Sequence, residues 1–295
     1  MESTSTDINS IIVNTINSLF SSLFSSIDNS IYSLLDDITF IDSSIISDNI
    51  FKNILGTSSN TGILIVANTL LFGLILYYSI SRLISYFTGS KIQSSQSFVF
   101  RAVIFGIFMN SSYFICEQIL NLISLISLSI RNVGEVIYNK DVCFSTFINE
   151  INSFVSIYND SFNLFSVDGI IRGFISFGLF TLLFSYSLRY ILIKVFILIC
   201  PFAFLFLIHN KTKWIFTSWL KIIMSLLLLQ ILISLILLVC FSFSYSNNML
   251  SKLMYIGCIY ALMKANSIIK EFIGGISTNA GNPISNLRYF LVGGK

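Results

Sequence analysis

Apolar residues recur along the first forty positions at Ile8, Ile12, Ile16, Leu19, Leu23, Ile27, Ile31, Leu34 and Ile38. The spacings are 4, 4, 3, 4, 4, 4, 3 and 4, close to the helical period, with Ser, Asn and Asp filling the opposite face. Polar residues interrupt the run too often for a membrane crossing. It predicts one or two amphipathic helices in a segment 1–62, joined to the first long apolar run by Gly56–Gly62 (GTSSNTG). No Lys or Arg precedes Lys52, so nothing on the polar face attracts anionic lipid. Two placements fit such a helix: resting at the outer membrane interface, or packing its apolar stripe on neighbouring subunits.

The pattern then changes to long apolar runs near 63–87, 98–130, 170–200, 220–245 and 252–272. Each reaches the ~20 residues that a helix needs to cross a bilayer. The expected fold is therefore all-α, a polytopic helical membrane protein with about five transmembrane helices plus the N-terminal amphipathic helix. Residues 63–272 form the transmembrane domain and 273–295 a cytoplasmic tail. The loop 131–168 carries Phe144, Phe147, Ile151, Phe154 and Tyr158 at spacings 3, 4, 3 and 4, which predicts a second amphipathic helix. The stretch 170–208 reads either as one long helix plus a re-entrant piece, Phe202–Ile208, or as two spans. In the first reading Pro201 ends or kinks the helix, because proline has no N–H to donate.

Composition agrees: the chain is 55% hydrophobic and 11% charged, with mean hydropathy +0.83, against about 25% charged residues in soluble domains. That excludes an ordinary soluble enzyme or a nucleic-acid-coating protein. Charge position then decides orientation. With five spans and the N-terminus outside, twelve Lys and Arg fall on the cytoplasmic side (82, 91, 101, 189, 194, 211, 213, 221, 264, 270, 288 and 295) and five outside (52, 131, 140, 172 and 252). Basic residues favour the cytoplasm. Six spans would put Lys211, Lys213 and Lys221 outside, so five is preferred. Residues 1–20 hold Glu2 and Asp7 but no Lys or Arg, so no secretory leader is expected.

Polar residues inside the runs are the candidate sites. Asn110, Glu117, Asn121 and Ser124 share one face of the second span, Gln230 and Ser234 lie in the fourth, and Tyr260, Lys264, Ser267 and Glu271 in the fifth. Such groups either bond across helices or line a polar path. Glu117 and Lys264 both fall near mid-span and are expected either to pair, because each is costly alone in hydrocarbon, or to face a wet channel separately, or, for Lys264, to snorkel to the inner interface. Trp214 and Trp219 flank the inner end of the fourth span as interface anchors. Four of the five cysteines lie in apolar runs and read as small hydrophobes. His209 is the only histidine. No metal-ligand spacing, phosphate-binding loop or catalytic triad pattern is present, so no cofactor, metal or enzymatic activity is expected.

Two stretches carry a family resemblance. The first runs from Ser187 to Gln230: a helix bearing Arg189-Tyr190, Pro201 near its inner end, a Lys211-Thr212-Lys213 loop, then Ser218-Trp219-Leu220-Lys221 opening a Leu-rich span that ends in Gln230. The second is Ile256–Thr278, IGCIYALMKANSIIKEFIGGIST. Together they resemble the TrbL-like polytopic membrane subunit of type IV secretion and conjugation machines, in the form carried by mobile elements of Gram-positive bacteria. The resemblance implies a cytoplasmic-membrane channel or scaffold subunit with an outward N-terminus. It also implies a homo-oligomer in contact with the conjugation ATPase and other secretion-system membrane subunits, passing a DNA–protein substrate. The alternatives are a small secondary transporter or an accessory membrane protein. Against a transporter stand the lack of an internal repeat and the position of Pro201 away from mid-span.

Overall fold

The computed structural model describes residues 11, 15, 18, 29–57, 61–89, 94–154, 167–209, 212–243 and 248–273. Most of the Ile8–Ile27 stripe, Tyr158 and the tail 274–295 lie outside the described residues. Among the latter are ten helices: α1 (Asn29–Thr39), α2 (Ser44–Ser47), α3 (Asn49–Leu55), α4 (Ile63–Thr88), α5 (Ser95–Asn110), α6 (Ser112–Tyr138), α7 (Phe144–Phe154), α8 (Val167–Leu205), α9 (Lys213–Phe241) and α10 (Met249–Ile273). None of the described residues is in a strand. Helices α4, α6, α8 and α9 are long and apolar enough to cross a membrane. The chain is an all-α polytopic membrane protein.

Two expected spans take a different form. The run 98–130 is divided between α5 and α6, which meet at Ser111 (φ −88°, ψ 7°). The helical path continues through the bend: the Ser111 amide donates to Ile107 O at 2.9 Å, and the Ile115 amide donates to Ser111 O at 3.0 Å. The run 252–272 is helical as α10, but Lys252, Lys264, Lys270 and Glu271 leave it outside the four helices that meet the apolarity of a crossing. Helix α9 is the axis of the bundle, with 56% of its apolar stretch buried, whereas α4 is peripheral with 11%.

Helix α8 runs unbroken through Pro201 to Leu205, so the expected end of the helix there does not occur. Residues beyond the proline are held by packing: Ala203, Phe204, Leu205 and Ile208 are buried with Trp219 and Ile223 of α9. Tertiary contact outweighs the local cost of the missing N–H. Phe202–Ile208 is thus no re-entrant piece. It is the last turn of α8 and a tight reversal, closed by the Thr212 hydroxyl donating to Phe206 O (2.8 Å) or His209 O (3.0 Å).

The N-terminal expectation also changes over residues 29–55. Tyr32, Leu35, Ile41, Ile45, Ile46, Phe51 and Leu55 are buried within the chain itself, and none of them belongs to the Ile8–Ile38 stripe. The register is turned as well: Leu34, placed on the apolar stripe by its spacing, is 48% exposed. The cause is Asp36. Its carboxylate accepts from the backbone N–H of Phe144 (2.7 Å) and Ser145 (3.1 Å) at the start of α7, satisfying donors that a helix leaves open at its N-terminus. That contact turns the Tyr32–Leu35–Thr39 face inward. Helix α7 buries Phe144, Phe147, Ile148 and Ile151 against it.

Helix α3 leads into α4 through a tight glycine contact. Gly56 (φ 91°) and Gly62 (φ 144°) both adopt backbone conformations that L side chains resist. A Cβ on Gly62 would stand 2.5 Å from Gly56 Cα. Gly62→Ala is therefore expected to lower the thermal unfolding midpoint in detergent, at a cost on the order of 1–3 kcal/mol. Gly73→Ala, within α4 and with open space around its Cβ, should cause no loss. Differential scanning fluorimetry of the two purified variants checks both.

Candidate functional site

The centre of the bundle is a charge. Arg189, well inside α8, is fully buried, at 0% exposure. It hydrogen-bonds to Leu226 and Gln230 of α9, and all three residues lie about 16 Å or more from the nearest end of their helix. A guanidinium offers five N–H donors and is costly in a dry interior unless they are used. Here Nε donates to Leu226 O at 2.7 Å, Nη1 to Thr39 O at 2.9 Å and Nη2 to Gln230 Oε1 at 3.5 Å. None of these acceptors is a carboxylate. Thr39 ends α1, so its carbonyl is one of the acceptors a helix leaves open at its C-terminus, where the helix dipole is negative and favours a cation.

The same layer repairs the break between α1 and α2. The Ile41 amide donates to Gln230 Oε1 at 3.1 Å, so Gln230 serves the irregular backbone and the arginine together. Non-helical backbone is tolerated at such depth only where protein satisfies it. The layer extends along α9: the Ser234 hydroxyl donates to Gln230 O at 3.0 Å and shares a 2.7 Å bond with Ser127 of α6. Residues 39–46 then continue along the bundle, and Ile46 O accepts from Tyr113 at 3.5 Å.

The other candidate residues scatter. Asn110 pairs reciprocally with Asn68 of α4 (3.0 and 3.3 Å) and donates to Gly106 O at 2.9 Å; this pair sits on an exposed surface of α4 and α5. Glu117 and Asn121 are half-buried along α6, beside its buried face of Cys116, Leu120 and Ile123. Lys264 is exposed on α10, with Nζ 5.6 Å from the centre of the Tyr260 ring. The expected Glu117–Lys264 pair does not form: among the described residues the one ion pair is Lys140–Glu150. The two side chains lie at different heights. Cys116 meets Cys200 (Sγ–Sγ 3.3 Å), where α8 is level with Trp219, whereas Leu262 O accepts from Tyr186 at 3.3 Å. The ten residues of α8 from Tyr186 to Phe196 separate these levels by about 15 Å. Trp219 is not an interface anchor either. It is buried, and its indole N–H donates to Phe196 O at 2.9 Å. Trp214 is 66% exposed.

Arg189 is the residue that pattern reading misplaces. Counted as a cytoplasmic base, it belongs instead to the bundle interior, so the asymmetry becomes eleven to five. Arg131, counted outside, lies 4.1 Å from the centre of the Phe40 ring. No family model, curated protein or solved structure matches the chain. The class that the fold defines stands by itself: a helical membrane bundle with a buried arginine layer and an interrupted helix threaded into it.

Removing Arg189 leaves the Thr39 carbonyl buried without its donor, which costs roughly 1–3 kcal/mol per orphaned group. Thr39→Cys supplies the probe. It is nearly isosteric, its backbone carbonyl is unchanged, and the Thr39 hydroxyl has no hydrogen-bond partner. In a Cys143→Ser background, where the other native cysteines are buried, Thr39→Cys alone should resist a water-soluble maleimide. Combined with Arg189→Gln it should become reactive, as the N-terminal segment loosens. Arg189→Lys should label nearly as fast as Arg189→Gln, because one ammonium cannot replace the fork that reaches three acceptors.

Proposed function

We propose that the protein is a channel or scaffold subunit of a type IV secretion (conjugation) machine in the cytoplasmic membrane, acting as a homo-oligomer with the conjugation ATPase and other membrane subunits. The supporting observation is the coincidence of resemblance and architecture. Arg189, Trp219 and Gln230, which mark the resembling stretch 187–230, build the α8–α9 hairpin at the core of the bundle. The chain carries substrate by lining or bracing a path and performs no chemistry of its own. With α10 crossing as a fifth helix, the N-terminus faces outward and the C-terminus the cytoplasm, on the strength of the ten-to-five distribution of basic residues that is left when the mid-helix Arg189 and Lys264 are set aside.

A second reading, a small secondary transporter, gains one observation: the break between α1 and α2 lies against a buried charge, as the discontinuous helices of transporters do. Deleting the gene from a self-transmissible element separates the two. The secretion reading expects conjugative transfer to be lost and restored by the gene supplied in trans, and the conjugation ATPase to co-purify. Transfer at the parental frequency would leave the transporter reading.

Orientation has its own check. In a Cys143→Ser background, where the other native cysteines are buried, Asp141→Cys, after α6, should react with an impermeant maleimide on intact cells, and Lys213→Cys, at the start of α9, only after permeabilisation. Both native residues are exposed. Labelling of position 213 in intact cells would reverse the assignment.

A further inference from the structure

The outer face of α10 is exposed at Gly257, Tyr260, Lys264 and Glu271, among the apolar Leu250, Leu253, Ile268 and Phe272. The spacings of 3, 4 and 7 between the first four align them on one side of the helix. The opposite side, with Tyr255, Cys258, Ile259, Leu262 and Ala265, is buried against α8 and α9. Both of those neighbours meet the length and apolarity of membrane-crossing helices, whereas α10 does not. A charged helix is thus laid lengthwise along the most apolar part of the bundle.

Lys264 decides what can cover that face. It stands nine residues before the end of α10, about 13 Å along the axis, which is further than a four-carbon stem reaches. Its ammonium turns back over Tyr260, one turn toward the N-terminus, and away from the nearer end. No carboxylate within the described residues forms an ion pair with it. Around Gly257, a Cβ would meet nothing within 4 Å. Hydrocarbon is a poor neighbour for an ammonium at such depth.

We infer that this face of α10 lines a water-filled lumen assembled from several copies of the chain, with Lys264 presenting positive charge to a polyanionic cargo. The inference rests on the secretion reading for the cargo, but the wet lumen is tested separately. In a Cys143→Ser background the remaining four cysteines are buried. Gly257→Cys, Tyr260→Cys and Lys264→Cys would be made there, with Leu262→Cys as a buried control. Membranes containing the assembled protein are treated with a charged, membrane-impermeant methanethiosulfonate applied to both sides. The lumen predicts labelling at 257, 260 and 264 and none at 262. Labelling of these positions by an apolar maleimide only would place the face in lipid. Protection from both reagents until detergent separates the subunits would make it a subunit contact. Either outcome overturns the proposal. If the three positions label while deletion of the gene leaves conjugation intact, the lumen stands and the secretion reading falls.

Discussion

A single guanidinium sets the register of the bundle. Arg189 lies at the boundary between two apolar clusters. One gathers α1, α7, the first half of α8 and the far half of α9; the other gathers Ile41–Phe51, α5, the start of α6 and the remaining halves of α8 and α9. Apolar packing is non-directional and tolerates sliding by a turn. Three hydrogen bonds from a rigid fork do not. Sliding α8 against α9 by one turn would separate Nε from Leu226 O and strand a buried charge, so the polar layer selects one alignment from several that burial alone would allow. In this chain the layer acts as a registry device, the best-attested role of buried polar groups.

The layer also explains why an interrupted helix occupies the interior. An unbroken α1 would satisfy its own Thr39 carbonyl and leave Arg189 one acceptor short. The break at residues 40–43 exposes the end of α1 to the guanidinium and one amide, from Ile41, to Gln230. Each side supplies what the other lacks. The order of synthesis suits this arrangement, since residues 29–55 emerge before α8 and are present when the arginine enters the bundle. The glycine contact at 56 and 62 then brings the chain out of the interior and into α4.

The legible parts of the fold are those governed by periodicity. The runs at 63–87, 170–200 and 220–245, and the amphipathic pattern of the 144–154 helix, reflect how many side chains must be apolar on each face. Gln230 stands out because an amide in a Leu-rich run is conspicuous. The hidden parts depend on backbone partners and on axial height, which side-chain patterns do not carry. The acceptors of Arg189 are carbonyl oxygens at Thr39 and Leu226, and any sequence supplies carbonyls. A positive-inside count treats every base as a marker of a helix end, so it places a core residue in the cytoplasm. The Asp36 bond to α7 rotates α1 away from its apolar stripe. Glu117 and Lys264 share a level in the linear count only because that count ignores the bend at Ser111, which moves the bundled part of the run to α6, near whose start Glu117 lies.

The exposed surface is uneven in a way that bears on assembly. Helix α4 leaves most of its apolar length uncovered, and bilayer lipid is a sufficient neighbour for leucine, isoleucine and phenylalanine. Its Asn68 already spends its amide on Asn110, and its one charged side chain, Arg82, lies near the other end of the helix. Helix α10 has no such arrangement: its charge faces outward from the layer of the bundle that is otherwise most apolar. A monomer in a bilayer satisfies α4 and leaves α10 wanting, and closed symmetry around a wet axis would satisfy both at once, with α10 turned inward and α4 outward. In the proposed assembly it is Lys264, set among Leu253, Tyr260 and Ile268 on the exposed side of α10, that would require the wet axis.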